Sequence, residues 1–314
     1  MTFGPDTTTD EVLDGLDLSG RHIVVTGAST GLGEETTRAL AAHGASITMA
    51  VRDPDRGSAA AARIRAELPD AQLEIRLVDL ASLQSVRDFA EDFLADHDRI
   101  DVLINNAGIM ACPQGTTVDG FELQFGTNHL GHFLLTNLLM PALRNGAPAR
   151  VVSLSSAGHR FSDVVLDDIN FEHSEYEPWT AYGRAKTANA LFAVELDRRC
   201  SPTVRAFSLH PGGIQTELSR HLTEASLNTL IAALPPGEDM LWKSIPAGAA
   251  TSVWAATAPE LDAHGGSYLE DCHIAEPNSD PTSRVGVRAY AQDPDSARAL
   301  WTLSAELVGL RLTD

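Results

Sequence analysis

Residues 22–33 read HIVVTGASTGLG, an apolar run rich in β-branched residues that leads straight into a glycine-rich turn. Such a turn between a strand and a helix lets the backbone approach a pyrophosphate, and the helix N-terminus offers unpaired N–H groups and a positive dipole end. The spacing G-x-x-x-G-x-G differs from the commoner G-x-G-x-x-G, so the motif alone is also compatible with a plain tight turn. The stretch predicts a dinucleotide site formed by Gly27, Ser29, Thr30, Gly31, Leu32 and Gly33.

Short apolar runs alternate with longer helical patterns along most of the chain, which is typical of a parallel sheet with helices on both faces. We therefore predict a single α/β domain over residues 18–314, of the doubly wound Rossmann type with a mostly parallel seven-stranded sheet, after an acidic extension at 1–17. The predicted strands are His22–Thr26, Ser46–Val51, Leu73–Asp79, Val102–Asn105, Arg150–Leu154, Val204–Leu209 and Ser267–Leu269. The predicted helices are Leu32–His43, Ser58–Glu67, Leu83–Ala95, Phe125–Arg144, Ala181–Arg199, Ala247–Ala256 and Pro294–Leu307.

The charge balance and the cysteines narrow the class of protein. The 314 residues include 23 Lys plus Arg and 43 Asp plus Glu, a net charge of −20, whereas a nucleic-acid-binding surface needs a basic face. Three widely spaced cysteines fit neither a disulfide scaffold nor a zinc ribbon. Residues 1–17 lack the pattern of an export signal, and no run approaches the roughly 20 apolar residues of a spanning helix. We expect a cytoplasmic protein that neither binds nucleic acid nor inserts into membranes.

The sequence places a phenol, an amine and two hydroxyls at positions suited to acid–base chemistry. Tyr182 and Lys186 are four residues apart, which places them on one face of a helix. A phenol has a pKa of about 10, and a nearby ammonium group lowers that pKa toward neutrality. Y-x-x-x-K alone also describes an exposed helical pair. Ser155 and Ser156, however, end the fifth predicted strand, at the sheet edge where α/β folds bind ligands.

The chain resembles the short-chain dehydrogenase/reductase family in several motifs that occur in the expected order. T-G-x-x-x-G-x-G begins at Thr26, N-N-A-G spans Asn105–Gly108, and P-G-x-x-x-T spans Pro211–Thr216. The segment Asp17–Gly20 and Trp179 make the chain most similar to the retinol-dehydrogenase-like and protochlorophyllide-reductase-like branch. The resemblance covers about residues 18–269, nearly the whole chain.

This resemblance implies roles for residues outside the glycine-rich turn. Ser156 is the expected donor to the substrate oxygen, with Ser155 left open by the register of the strand, and Tyr182 and Lys186 are the acid–base pair. Asn128 is expected to hold a water beside Lys186. Contacts to the cofactor are implied for Asp79, Leu80, Asn106, Ala107, Gly108, Tyr182, Lys186, Pro211, Gly212, Ile214 and Thr216.

The end of the second predicted strand bears on the choice of nicotinamide cofactor. An acid there binds a free ribose 2′-hydroxyl, whereas an arginine accommodates a 2′-phosphate. Arg52 occupies this position and Asp53 follows it. We favour NADP(H) over NAD(H), and the alternative is that Arg52 only solvates a strand end.

The expected activity is NADP(H)-dependent interconversion of a carbonyl and an alcohol on a hydrophobic small molecule, with residues 211–247 as a mobile apolar lid. Two alternatives stay open: reduction of a C=C bond, weakly supported by Cys112, and a non-catalytic cofactor-sensing regulator. His129 and His132 lack a third ligand, so no metal site is predicted. The family resemblance is compatible with a homodimer or a homotetramer.

Overall fold

A single sheet runs through the computed structural model, which describes residues 3–222, 224–232, 242–280 and 282–311. Within these ranges the sheet has eight strands in the order β3-β2-β1-β4-β5-β6-β7-β8. The strands are β1 (His22–Thr26), β2 (Ser46–Val51), β3 (Leu73–Leu77), β4 (Val102–Asn105), β5 (Ala149–Leu154), β6 (Val204–His210), β7 (Tyr268–Glu270) and β8 (His273–Ile274).

The first seven strands are parallel, as predicted, but the predicted count of seven is wrong by one. After β7 the chain reverses through Asp271 and Cys272, both with positive φ, and β8 returns as an antiparallel edge strand. A two-residue strand carries no periodic pattern, so the sequence gives no sign of it.

Helices cover both faces of the sheet, and they meet it through two large apolar clusters. The helices are α1 (Thr9–Leu13), α2 (Gly31–Ala42), α3 (Pro54–Glu67), α4 (Leu83–Asp96), α5 (Leu123–Phe125), α6 (Gly131–Leu138), α7 (Met140–Asn145), α8 (Pro178–Cys200), α9 (Glu224–Ala232), α10 (Ile245–Thr257) and α11 (Pro294–Leu307). Short 3₁₀ helices span Ala157–Phe161, Glu217–His221, Pro259–Ala263 and Ala289–Gln292.

The acidic N-terminal segment packs on this core. A capping box between Thr8 and Glu11 starts α1, and the short helix lies against α2 and α10. Val12 and Leu13 are buried there and join the apolar cluster under β1 and β2. This burial explains why a charged segment holds a fixed position.

The predicted helix Phe125–Arg144 is interrupted twice. A π-helical turn occupies Gly126–Leu130, and the chain breaks again at Leu139, just before Pro141 enters the first turn of α7. Proline is tolerated only in the first turn of a helix because it lacks an N–H group, so it starts a new helix here. The π turn has no sequence signature, although such turns are common at functional sites.

Helix α3 begins four residues earlier than predicted, and α8 begins three residues earlier. The side chain of Asp53 caps α3 ahead of Pro54, and the side chain of Glu177 caps α8 ahead of Pro178. Both helices thus start with an acidic cap followed by proline at the first helical position, a recognised start signal.

Residues 162–177 form an irregular stretch, and polar contacts fix their course. The Asp168 carboxylate accepts hydrogen bonds from the backbone N–H groups of Glu172, His173 and Ser174. The Arg184 guanidinium donates to the Asp168 carbonyl oxygen at 2.6 Å. The segment is therefore tied directly to α8, which carries Tyr182 and Lys186.

Candidate active site

A cleft opens at the carboxyl edge of the sheet beside β1 and β4, where the strand order reverses. Open α/β sheets bind ligands at such a switch point. The cleft wall includes all of the residues predicted to contact a dinucleotide, from Gly27 to Thr216, together with Ser156. Asn128 lies behind the wall, fully buried.

The glycine-rich loop has a backbone that only glycine suits. Gly27 and Gly31 have φ values of +66° and +56°, and a Cβ atom on Gly33 would collide with the Gly27 carbonyl oxygen. Thr30 precedes α2 without capping it through its side chain, so the first-turn N–H groups are left for another acceptor. Close backbone approach and an uncapped helix N-terminus fit a pyrophosphate.

Thr26 and Asn106 join the loop after β1 to the loop after β4. The Thr26 hydroxyl oxygen accepts hydrogen bonds from the backbone N–H groups of Asn106 and Ala107, at 2.9 and 3.0 Å. The Asn106 amide donates to the Thr26 carbonyl oxygen at 2.7 Å. Asn106 thus fixes the relative position of two cofactor-facing loops as well as lining the cleft.

Arg52 and Asp53 differ in how they are placed at the end of β2. Arg52 is exposed on the cleft wall. The Asp53 carboxylate accepts hydrogen bonds from the backbone N–H groups of Asp55 and Arg56 and so caps α3. The nearby acid is therefore engaged by the helix, and the guanidinium group is left facing the cleft.

Ser155, Ser156 and Tyr182 all line the cleft wall. The Ser156 hydroxyl oxygen accepts a hydrogen bond from the backbone N–H of Gly158 at 3.0 Å, and a Cβ atom on Gly158 would contact both this oxygen and the Tyr182 ring. The Ser155 hydroxyl donates to the Lys186 carbonyl oxygen at 2.7 Å, and Ser155 is buried. The Ser155 hydroxyl is thus engaged in the packing of β5 against α8, whereas the Ser156 hydroxyl lies beside the tyrosine.

Burial dominates the electrostatics of Tyr182 and Lys186. It raises the pKa of Tyr182 to about 12, against a lowering effect of the neighbouring Ser156 hydroxyl. It lowers the pKa of Lys186 to about 7. The Lys186 ammonium donates to the Leu154 carbonyl oxygen at 2.8 Å. The pKa of Tyr182 is therefore raised in this geometry and not lowered as expected, because the loss of solvation outweighs the effect of an amine that is only partly charged near pH 7.

Asn128 lies in the π turn, beside the lysine. Its side-chain amide exchanges two hydrogen bonds of 2.9 Å with the backbone of Ile109. The backbone carbonyl oxygen of Asn128 accepts a hydrogen bond from His132 Nδ1, so this imidazole carries its proton on Nδ1. A Cβ atom on Gly108 would lie 3.1 Å from Asn128 Oδ1 and 3.6 Å from Lys186 Nζ, so both polar groups lie on the same side of this glycine. The water-holding role expected for Asn128 stays a prediction.

The other end of the cleft is apolar. Trp179 packs its ring against the rings of Phe161 and Tyr182, with centroids 5.4 and 6.0 Å away. The Trp179 indole donates to the Ser226 carbonyl oxygen in α9. Met110, Leu222 and Leu230 join this cluster. Of the other predicted lid residues, Leu234 lies outside the described residues, as do the side chains of Leu227 and Ile231.

The sequence of this chain matches the family model described as short chain dehydrogenase over residues 21–227. The chain belongs to the short-chain dehydrogenase/reductase family. It is 43% identical to the short-chain dehydrogenase/reductase prx1 of Penicillium roqueforti, over 94% of this chain and 86% of that protein. It is 42% identical to retinol dehydrogenase 13 of Homo sapiens, over 93% and 86% of the two chains. The expected membership, with its retinol-dehydrogenase-like character, is confirmed.

Solved structures of similar fold agree with this assignment. An uncharacterized protein from Mycobacterium paratuberculosis has a TM-score of 0.72 and 38% identity, covering 96% of this chain and 98% of that one. Pseudomonas aeruginosa RhlG, solved as an NADP complex, has a TM-score of 0.63 and 25% identity, covering 81% and 95%. In the described ranges of this dehydrogenase/reductase, no helix combines the length and apolar character needed to cross a bilayer.

Sequence reasoning missed several residues around the cleft of this family member. Arg160, in the 3₁₀ helix Ala157–Phe161, and Arg284, in a loop, line the wall outside any recognised motif. Burial, together with Arg284 and Arg288, lowers the pKa of Arg160 to about 10. The His159 imidazole bonds the Ser156 carbonyl oxygen and the backbone N–H of Arg288. His159 thereby holds the turn that positions Ser156.

Proposed function

We propose that this short-chain dehydrogenase/reductase interconverts a carbonyl and an alcohol on a hydrophobic small molecule, with NADP(H) as its cofactor. One observation carries the proposal: Ser156, Tyr182 and Lys186 stand on the same cleft wall as the glycine-rich loop. A hydroxyl and a phenol that lie side by side can both bind one substrate oxygen. A loop beside them can hold the nucleotide.

The residues of the cleft fit a nicotinamide dinucleotide. Its pyrophosphate would lie at the uncapped N-terminus of α2, in the loop from Gly27 to Gly33. Arg52 would bind a 2′-phosphate, because the neighbouring Asp53 carboxylate is already engaged as a helix cap. Relatives solved with NADP include RhlG. When bound, the cofactor supplies a hydride to the carbonyl carbon or accepts one in the reverse direction.

Tyr182 acts on the substrate oxygen in this proposal. Its raised pKa keeps the phenol protonated near neutrality, so it can donate its proton to the oxygen as negative charge develops there. The Ser156 hydroxyl donates a second hydrogen bond to the same oxygen and stabilises that charge. In the oxidation direction, the phenolate form of Tyr182 takes the alcohol proton.

Lys186 restores the proton that Tyr182 gives up. Its pKa of about 7 means that both charge states are populated near neutral pH, which suits a group that passes protons. The Leu154 carbonyl oxygen holds its ammonium in place. Asn128 Oδ1 lies on the same side of Gly108 as Lys186 Nζ, and Asn128 would hold the water that connects Lys186 to solvent.

The apolar end of the cleft supports a hydrophobic substrate. Phe161, Trp179 and Leu222 offer aromatic and aliphatic surface next to the phenol of Tyr182. The relatives named retinol dehydrogenases make a retinoid a reasonable first substrate to test. Residues 211–247 would serve as the lid, with the indole of Trp179 bonded to its helix α9.

The two alternative functions draw little support from the site. Reduction of a C=C bond was linked to Cys112, but this thiol is buried, and burial raises its pKa to about 11. A regulator that only senses the cofactor does not need Ser156, Tyr182 and Lys186 together on one wall. The cytoplasmic location, the lid and the oligomeric states stay predictions.

A substrate screen tests the proposal directly. The purified protein is mixed with NADPH or NADH and with retinoid aldehydes, aromatic ketones and steroid ketones, and cofactor oxidation is followed by absorbance. We expect faster oxidation of NADPH than of NADH and an alcohol as the product. A saturated carbonyl product would establish C=C reduction instead. Cofactor binding without turnover of any carbonyl or alcohol would favour the regulator.

A further inference from the structure

Three potential metal ligands converge at the amino-terminal edge of the sheet, away from the cleft. His22 begins β1, Glu74 is the second residue of β3, and His97 follows the end of α4. One ligand atom from each side chain lies within 4.8 Å of the other two. Their wide separation in sequence explains why no pattern of spacing reveals them.

The imidazoles of His22 and His97 each direct a nitrogen toward the region around Glu74 Oε2. His97 Nε2 lies 2.8 Å from Glu74 Oε2. His22 Nε2 lies 2.8 Å from the Thr48 hydroxyl, which itself donates to Glu74 Oε2. The two histidine rings meet edge to face, with centroids 4.6 Å apart. Tetrahedral Zn²⁺ places its ligand atoms about 3.3 Å apart, so small side-chain rotations suffice to surround an ion.

The surroundings favour a bound divalent cation. Of the two carboxylate oxygens of Glu74, Arg76 bonds Oε1 and leaves Oε2 to the histidine. The positive charge of Arg76 is offset by the Asp96 carboxylate at 2.6 Å. Phe93 packs against both imidazoles and orients them. The side chains of Glu74 and His97 are 39% and 29% exposed, which leaves an entry path and room for a water ligand.

We propose that His22, Glu74 and His97 form a binding site for a divalent transition-metal cation of the zinc class. Two imidazoles and one carboxylate with an open position form a donor set that Zn²⁺ accepts. The site is about 16 Å from the glycine-rich loop, since β1 separates them at about 3.3 Å per residue. The ion would join β1, β3 and the end of α4, and so stabilise the fold without entering the reaction.

Zinc titration of the chain, freed of any affinity tag and of metal by a chelator, tests this site. Isothermal titration calorimetry and thermal unfolding are run with Zn²⁺ on the wild type, His97→Ala and Glu74→Gln. His273→Ala is the matched control, because His273 also lies beside a carboxylate, that of Glu270 at 3.8 Å, and the described part of the chain adds no third ligand to this pair.

We expect one Zn²⁺ per chain in the wild type and in His273→Ala, with a rise in melting temperature of about 5 °C under saturation. His97→Ala and Glu74→Gln should bind at least about tenfold more weakly and lose that rise. No binding to the folded wild type, or equal binding by His97→Ala, would overturn the proposal. Circular dichroism confirms folding of each variant before titration.

Discussion

The Lys186 ammonium nitrogen lies 5.6 Å from the centre of the Tyr182 ring. One helical turn of α8 sets this separation, and the carbonyl oxygen of Leu154 at the end of β5 fixes the lysine at its far side. Lys186 therefore faces the ring of the tyrosine and is bonded to the sheet. In the proposed reaction the phenol would contact the substrate, with the amine as its neighbour.

Tyr182→Phe tests the assigned proton donor. The change removes only the phenol oxygen, so kcat should fall by about 10²–10⁴-fold, while the NADPH dissociation constant measured by fluorescence stays unchanged. Tyr176→Phe is the matched control, because it also removes only a phenol oxygen, and the half-buried Tyr176 donates to the Cys112 carbonyl oxygen outside the cleft. Full activity in Tyr182→Phe would remove the tyrosine from the mechanism.

The sequence predicted the fold well where burial enforces a simple pattern. Strands such as β1 and β4 are buried on both faces, so their apolar runs were visible and their bounds match. The π turn at Gly126–Leu130 and the edge strand β8 were not predicted, because tertiary contacts determine them and neither has a local period.

A paired serine experiment separates the two hydroxyls at the end of β5. Ser156→Ala should lower kcat by about 10²–10³-fold, since it removes a donor to the developing oxyanion. Ser155→Ala should instead lower the free energy of unfolding by about 1 kcal/mol, because it deletes the bond to the Lys186 carbonyl oxygen. Steady-state kinetics and urea unfolding are measured on both variants. The reverse outcome would assign catalysis to Ser155.

The choice between these serines shows the limit of sequence reasoning about the site. A motif places both residues at the sheet edge, but strand register decides which side chain faces the cleft. The same limit applies to His159, because no motif shows that its imidazole holds the turn after Ser156. Residues that distant loops bring to the cleft, such as Arg284, belong to no local sequence motif that could reveal them.

Arg52→Ala tests the preference for NADP(H). Loss of paired hydrogen bonds to a 2′-phosphate should raise the KM for NADPH by about 10–100-fold and leave the KM for NADH unchanged. Arg65→Ala, which removes an exposed arginine of α3 that donates to the Leu73 carbonyl oxygen away from the cleft, is the control for a general change in charge. An equal rise for both cofactors, or none for either, would show that Arg52 does not read the phosphate.

The buried amine of Lys186 makes stability depend on pH in a predictable direction. Its pKa is lowered from 10.5 in the unfolded chain to about 7 in the folded one, so between these values the unfolded state binds more protons. The free energy of unfolding therefore rises with pH across this window, by about 1.4 kcal/mol per unit from this group. The free energy of unfolding is lowered most below pH 7, where the lysine is charged in both the folded and the unfolded state.

Urea unfolding of the wild type and Lys186→Met at several values between pH 7 and pH 9.5 isolates this effect. All other groups titrate alike in the two proteins, so the difference in unfolding free energy reports Lys186 alone. Loss of the bond to the Leu154 carbonyl oxygen adds a constant that does not change with pH. We expect the free energy of unfolding of the wild type to increase relative to that of the variant as pH rises. A difference independent of pH would mean that the lysine keeps its ordinary pKa, and with it a full positive charge beside Tyr182 at neutral pH.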